Sequence, residues 1–163
     1  MAKMLVAYFS ATGVTKVVAE NLAKAADADL YEIKPAKPYS NEDLNWLNQN
    51  ARSTVEMKNR DSRPEIIEDD FSIEKYDVVF LGFPIWWYIA PTIINTFLEK
   101  HDFSGKTIIL FATSGGSRFG SAIENLKNSI GDSAKIVEGR ILNTNPTVEE
   151  LTQWVNSLGI NEY

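Results

Sequence analysis

Two short runs of this chain, Asp77–Gly82 and Lys106–Ala112, are apolar at nearly every position. Val78, Val79, Phe80 and Leu81 fill the first; Ile108, Ile109, Leu110, Phe111 and Ala112 fill the second. A half-exposed strand alternates polar and apolar residues, so an unbroken run points to a strand covered on both faces. Parallel strands read this way, because the helices that connect them cover both sides of the sheet. Further strand-like runs lie at 3–9, 29–33 and 135–138.

Helical patterns fall between the runs. The first extends from Gly13 to Ala26, with Val14, Val17, Val18, Leu22 and Ala25 at helical spacing. Another begins at Pro91, a favoured first-turn proline, and carries Ile93, Ile94, Phe97 and Leu98 on one face. A capping-box pattern, Ser121-Ala122-Ile123-Glu124, opens the next, which ends before Gly131. The last opens on a second such box, Thr147-Val148-Glu149-Glu150, carries Val148, Leu151, Val155 and Leu158, and stops at Gly159. Trp154 falls off that stripe and reads as packing. Five strand–helix units predict a doubly wound α/β sheet with right-handed crossovers.

Residues 34–70 depart from this rhythm. They hold two early prolines, the segment Asn59–Pro64, and a polar helix expected around Glu42–Val55, with Leu44, Leu47, Ala51 and Val55 as its buried stripe. Trp46, Arg52, Arg60 and Arg63 belong to this segment, which could fold over a site and shape a pocket. No repeat, low-complexity tract or linker divides the chain, so residues 1–163 are read as one domain.

Composition narrows the chemistry. There is no cysteine, which removes disulfides, cysteine nucleophiles and thiolate metal sites. His101 is the single histidine, and it sits where a helix carbonyl end favours positive charge; no catalytic role is assigned to it. A net charge of −6 with no basic stripe argues against a nucleic-acid partner. The same acidity suits docking to a basic protein partner and equally serves solubility. No apolar run reaches the length of a membrane span, and Met1-Ala2-Lys3 leads directly into a strand, so cytoplasm is the expected compartment.

The first strand ends in Ser10-Ala11-Thr12-Gly13-Val14-Thr15, where a hydroxyl-rich turn opens a helix. Free N–H groups and the helix dipole make such a place an anion site. Ser10, Thr12 and Thr15 add hydroxyls, and Gly13 permits close backbone approach. Neither G-x-x-x-x-G-K-[ST] nor G-x-G-x-x-G occurs here, which excludes the two commonest nucleotide loops. Lys16 reads as a solvated helix lysine.

In a doubly wound sheet ligands bind beyond the carboxyl ends of the strands. The third strand ends in Pro84-Ile85-Trp86-Trp87-Tyr88, whose adjacent aromatics cannot all enter one core and offer a flat wall. The fourth ends in Thr113-Ser114-Gly115-Gly116-Ser117, followed by Gly120, a glycine-rich polar wall. Together these loops suit a planar heteroaromatic with a phosphorylated tail. A phosphoacceptor receiver domain, which shares the sheet order, needs acidic residues after strands one and three, and the chain has Phe9-Ser10 and Gly82-Phe83 there.

On these three loops the chain resembles the flavodoxins, across essentially the whole domain. The resemblance implies a five-stranded parallel sheet of order 2-1-3-4-5 with helices on both faces. It also implies non-covalent flavin mononucleotide (FMN), with Ser10, Thr12, Gly13, Val14 and Thr15 at the phosphate. The ring would lie between Pro84, Ile85, Trp86 and Trp87 on one side and Thr113, Ser114, Gly115, Gly116 and Gly120 on the other, with Trp86 the best match to the stacking tryptophan. Electron transfer between a reductase and an acceptor protein is the expected role. The alternative is an NAD(P)H-dependent reductase of quinones or similar small acceptors.

The long 34–70 segment and two departures from the family pattern favour that alternative. The loop after strand four lacks a second stacking aromatic, so one flavin face or edge is open unless Tyr88 or Trp87 covers it. Flavodoxins typically carry a glycine beside the stacking tryptophan, where a peptide flip stabilises the one-electron-reduced flavin, and Ile85–Ile89 contains none. A spectroscopic redox titration should therefore show little one-electron-reduced flavin; a strongly populated blue intermediate would contradict this reading.

Overall fold

The computed structural model describes residues 3–11, 13–45, 47–59, 61–67, 71–86, 89–113, 119, 122–130, 134–142 and 146–158. Strands and helices alternate: β1 (Met4–Tyr8), α1 (Val14–Ala26), β2 (Asp29–Glu32), α2 (Arg52–Lys58), β3 (Val78–Pro84), α3 (Thr92–Lys100), β4 (Thr107–Thr113), α4 (Ala122–Ile130), β5 (Lys135–Ile141) and α5 (Val148–Ser157). The five strands form one sheet in the order β2-β1-β3-β4-β5, and every neighbouring pair is parallel.

The period of two in a strand explains the unbroken apolar runs. Leu5, Ala7 and Phe9 of β1 and its continuation face one core, with Val79, Leu81 and Phe83 of β3 and Ile108, Leu110 and Ala112 of β4. Their alternates, Met4, Val6, Tyr8, Val78, Phe80, Ile109 and Phe111, face the other. α3 and α4 cover the first core through Ile93, Ile94, Phe97, Leu98 and Leu126. α1 and α5 cover the second through Val18, Leu22, Leu151, Trp154 and Val155. Trp154 meets Phe80 edge-on at 5.8 Å, which is its packing role. Among the described residues no helix is long and apolar enough to cross a membrane.

Several element details differ from the sequence expectation. The helix expected over Glu42–Val55 is instead the short α2, Arg52–Lys58, preceded by turns. Asn45, Asn48 and Ser40 side chains accept from nearby backbone N–H groups there, which offers the chain an alternative to the helix. Of the proposed stripe only Ala51 is buried: Leu47 is 73% exposed, Val55 52%, and Leu44 is half-buried. In α1 the buried face is Val18, Ala19, Leu22, Ala23 and Ala26, while Val14 and Val17 lie outward. Thr15 and Val18 at the same end of α1 are buried, so Val14 and Val17 face outward by helical phase. α3 begins one residue after Pro91, which is its N-cap. Thr147 caps α5 as expected, accepting from the Glu150 N–H at 3.1 Å. Ser121, Gly131 and Gly159 lie outside the described residues.

β5 runs three residues further than the apolar run suggested, through Gly139 to Ile141. Gly139 is an extra residue in the ladder: Leu110 pairs with Glu138, and Phe111 with Arg140. A Cβ at Gly139 would collide with the Leu110 carbonyl oxygen and stand 3.0 Å from Trp154 Cζ2. Gly139→Ala should therefore lower stability by about 1–3 kcal/mol, the usual cost of overpacking, read as a lower urea midpoint at unchanged m-value.

Candidate functional site

The carboxyl edge of the sheet is built by continuing the ladders past the strands. Phe9 N–H donates to the Gly82 carbonyl at 3.0 Å, so the turn after β1 starts beside β3. Ser10 Oγ then accepts from the Gly13 N–H at 3.0 Å, closing the turn. Gly13 has φ 93°, a left-handed conformation that side chains disfavour, and open space where a Cβ would stand. The first helical bond runs from Val17 N–H to the Gly13 carbonyl. The N–H groups of Val14, Thr15 and Lys16 thus lack an intrahelical acceptor, and among the described residues no side chain caps them.

The three loops are tied by two hydrogen bonds centred on Thr113. Thr15 Oγ1 and Thr113 Oγ1 are 2.8 Å apart, with the two residues 1% and 6% exposed. The Thr113 carbonyl accepts from the Ile85 N–H at 2.9 Å. Beyond Ile85, Trp86 and Ile89 exchange backbone hydrogen bonds of 3.0 and 3.2 Å, closing the loop after β3.

Trp86 is half-buried and meets Phe9 edge-on at 5.8 Å and Tyr39 at 5.6 Å. Tyr39 also meets Phe9 at 5.6 Å, so the segment after β2 does reach the site. Its hydroxyl donates to the Glu56 carboxylate. The Arg52 guanidinium lies 3.9 Å from the Tyr39 ring centroid, pairs with Glu56 at 2.9 Å, and donates to the Lys37 carbonyl at 2.7 Å. Burial, followed by that carboxylate, pushes the Tyr39 phenol well above its ordinary value of 10.0. Next to this cluster Phe9, Ser10, Ala11, Glu32, Tyr39 and Ile67 are among the residues that line an open cleft of about 270 Å³.

Of the residues singled out in the sequence, Ser10, Gly13, Val14, Thr15, Pro84, Ile85, Trp86 and Thr113 gather on this edge. Thr12, Trp87, Ser114, Gly115, Gly116 and Gly120 lie outside the described residues, as do Trp46, Arg60 and Tyr88. Lys16 is exposed on α1. Arg52 serves the Tyr39 cluster, while Arg63 pairs with Glu99 of α3 at 3.0 Å. His101 caps the end of α3 and packs 4.9 Å from Phe97. Sequence reasoning missed Tyr39 and Glu56. The i,i+4 pair Arg52 and Glu56 was visible, but nothing local to residue 39 announced its partners. Among the described residues no group of three His, Cys, Asp or Glu could hold a metal.

Residues 3–158 match the flavodoxin family. The chain belongs to that family. It is 46% identical to a protein described as a flavoprotein from Bacteroides uniformis, with TM-score 0.89, covering 95% of this chain and 98% of that one. A counterpart from Bacteroides eggerthii is 47% identical at the same TM-score, covering 98% and 99%. A Lactobacillus acidophilus flavoprotein solved in complex with FMN shares the fold at 21% identity and TM-score 0.71, covering 95% and 99%. No curated protein matches the chain.

The tyrosine cluster sets an alkaline limit on this family member. The fold favours the neutral Tyr39 phenol, so its contribution is intact below pH 10.0 and lost as pH rises beyond it. Tyr8 and Tyr76, both pushed up to about 12 chiefly by burial, act in the same direction. Chemical denaturation between pH 9 and about 12 should show stability falling with pH, and the fall should be shallower in Tyr39→Phe.

Proposed function

We propose that this protein binds FMN at the carboxyl edge of its sheet and works in electron transfer. The observation that carries the reading is the open N-terminus of α1, held next to the Ile85–Trp86 loop and β4 through Thr113. The donor set fits an anionic tail: Val14, Thr15 and Lys16 present N–H groups, Gly13 leaves space beside them, and the helix dipole favours negative charge. Family membership and the FMN held by the fold-sharing Lactobacillus protein support the same cofactor.

FMN supplies reversible uptake of electrons, and the protein's part is binding, orientation and field. The α1 N-terminus and Ser10 would hold the phosphate, and Trp86, backed by Phe9 and Tyr39, would give the ring loop a rigid base. The net charge of −6 supports docking to a basic redox partner, and the absence of cysteine suits a cytoplasmic setting. A second reading, NAD(P)H-dependent reduction of a small acceptor, is favoured by the open cleft of about 270 Å³ beside the turn.

Purified protein loaded with FMN and mixed anaerobically with NADH or NADPH separates the two. Flavin absorption that persists until a partner reductase or dithionite is added supports the carrier. Rapid bleaching by the nicotinamide alone supports the reductase. Failure to retain FMN overturns both.

A further inference from the structure

The hydroxyls of Thr15 and Thr113 come from residues 98 positions apart in the chain, yet they meet at 2.8 Å in a buried contact. Each can donate one proton and accept others, so the pair alone has two equivalent directions. Thr15 is in the first turn of α1, where its own N–H faces the open helix end. Thr113 ends β4, and its carbonyl already holds the Ile85 N–H at 2.9 Å.

A phosphate dianion changes this symmetry, because it has no proton to give and only accepts. If Thr15 donates to it, the Thr15 oxygen can keep its buried contact only by accepting from Thr113. The chain of donation then runs in one direction, from Thr113 to Thr15 to the phosphate. Hydrogen bonds aligned in this way polarise one another, and at 1% and 6% exposure bulk water does not compete.

We propose that Thr113 is a positioning residue that selects phosphorylated over unphosphorylated flavin. It touches the cofactor phosphate only through Thr15, and through Ile85 it ties phosphate occupancy to the placement of the aromatic loop. This rests on the FMN reading above. It reassigns Thr113 from the lining of the ring to the support of the tail.

Apoprotein is titrated with FMN and with riboflavin, following quenching of flavin fluorescence, for wild type, Thr113→Val, Thr113→Ser, Thr15→Val and the Thr15→Val/Thr113→Val double variant. Wild type that binds neither flavin refutes the FMN reading itself, independently of Thr113. Given wild-type binding, Thr113→Val should weaken FMN about fivefold to tenfold, the loss of one hydrogen bond, while riboflavin changes by less than about twofold. Thr113→Ser should restore the wild-type preference. The double variant should bind FMN no more weakly than Thr15→Val, because Thr113 acts only through Thr15. Equal loss for both flavins would reduce Thr113 to a structural brace, and no loss for either would remove it from the site; both overturn the proposal. Thermal unfolding of each apoprotein identifies a variant that fails to fold, in which case Thr113→Ala is titrated in its place under the same criteria.

Discussion

The burial of both faces of the parallel sheet governs the rest of this molecule. Once α1 and α5 occupy one side and α3 and α4 the other, β1, β3 and β4 have no free face on which to carry chemistry. Polar function is displaced to the ends of the strands. At the carboxyl end, the outward-leading loops, the positive end of α1 and the leftover main-chain donors coincide. The Phe9–Gly82 and Ile85–Thr113 hydrogen bonds extend the ladder beyond the strands into those loops, so the site inherits the rigidity of the sheet.

The central sheet was legible in the sequence because its signals are local and redundant. Val78–Leu81 and Ile108–Ala112 are short, unbroken apolar runs of strand length, and the intervening helical patterns dictate crossovers. Thr147 announced its helix by a capping chemistry that works within a single turn. Gly13 was singled out for close backbone approach, and its left-handed φ of 93° came only with the structure. The edges were read less well. β5 is half-exposed, and its continuation past Gly139 depends on a bulge against β4 that no local pattern encodes.

The segment after β2 was the hardest to read. Its sequence resembles a polar helix, but its structure is decided by tertiary partners: Tyr39 against Phe9 and Trp86, Arg52 over Tyr39, and Ser62 hydrogen-bonded to Thr92 at 2.9 Å. Half of the candidate site showed the same limit. That Ser10, Gly13 and Thr15 form an anion-ready turn follows from residue type and order. That the Thr15 hydroxyl meets Thr113 required the register of two strands that are not neighbours.

That segment also enters and leaves the domain through one small gate. Pro35 and Ile66 form an antiparallel bridge, flanked by Ala36 N–H to the Glu65 carbonyl and Ile67 N–H to the Lys34 carbonyl, each 2.8 Å. The chain between is therefore a loop already closed at its neck. Closure entropy grows only logarithmically, by about 0.6 kcal/mol per doubling of length. Insertions and deletions within it are consequently cheap for the sheet, while they reshape the wall opposite Ser10 and Ala11. Evolution is thus free to vary what borders the carboxyl edge by exchanging this one looped cassette, leaving the sheet and its helices untouched.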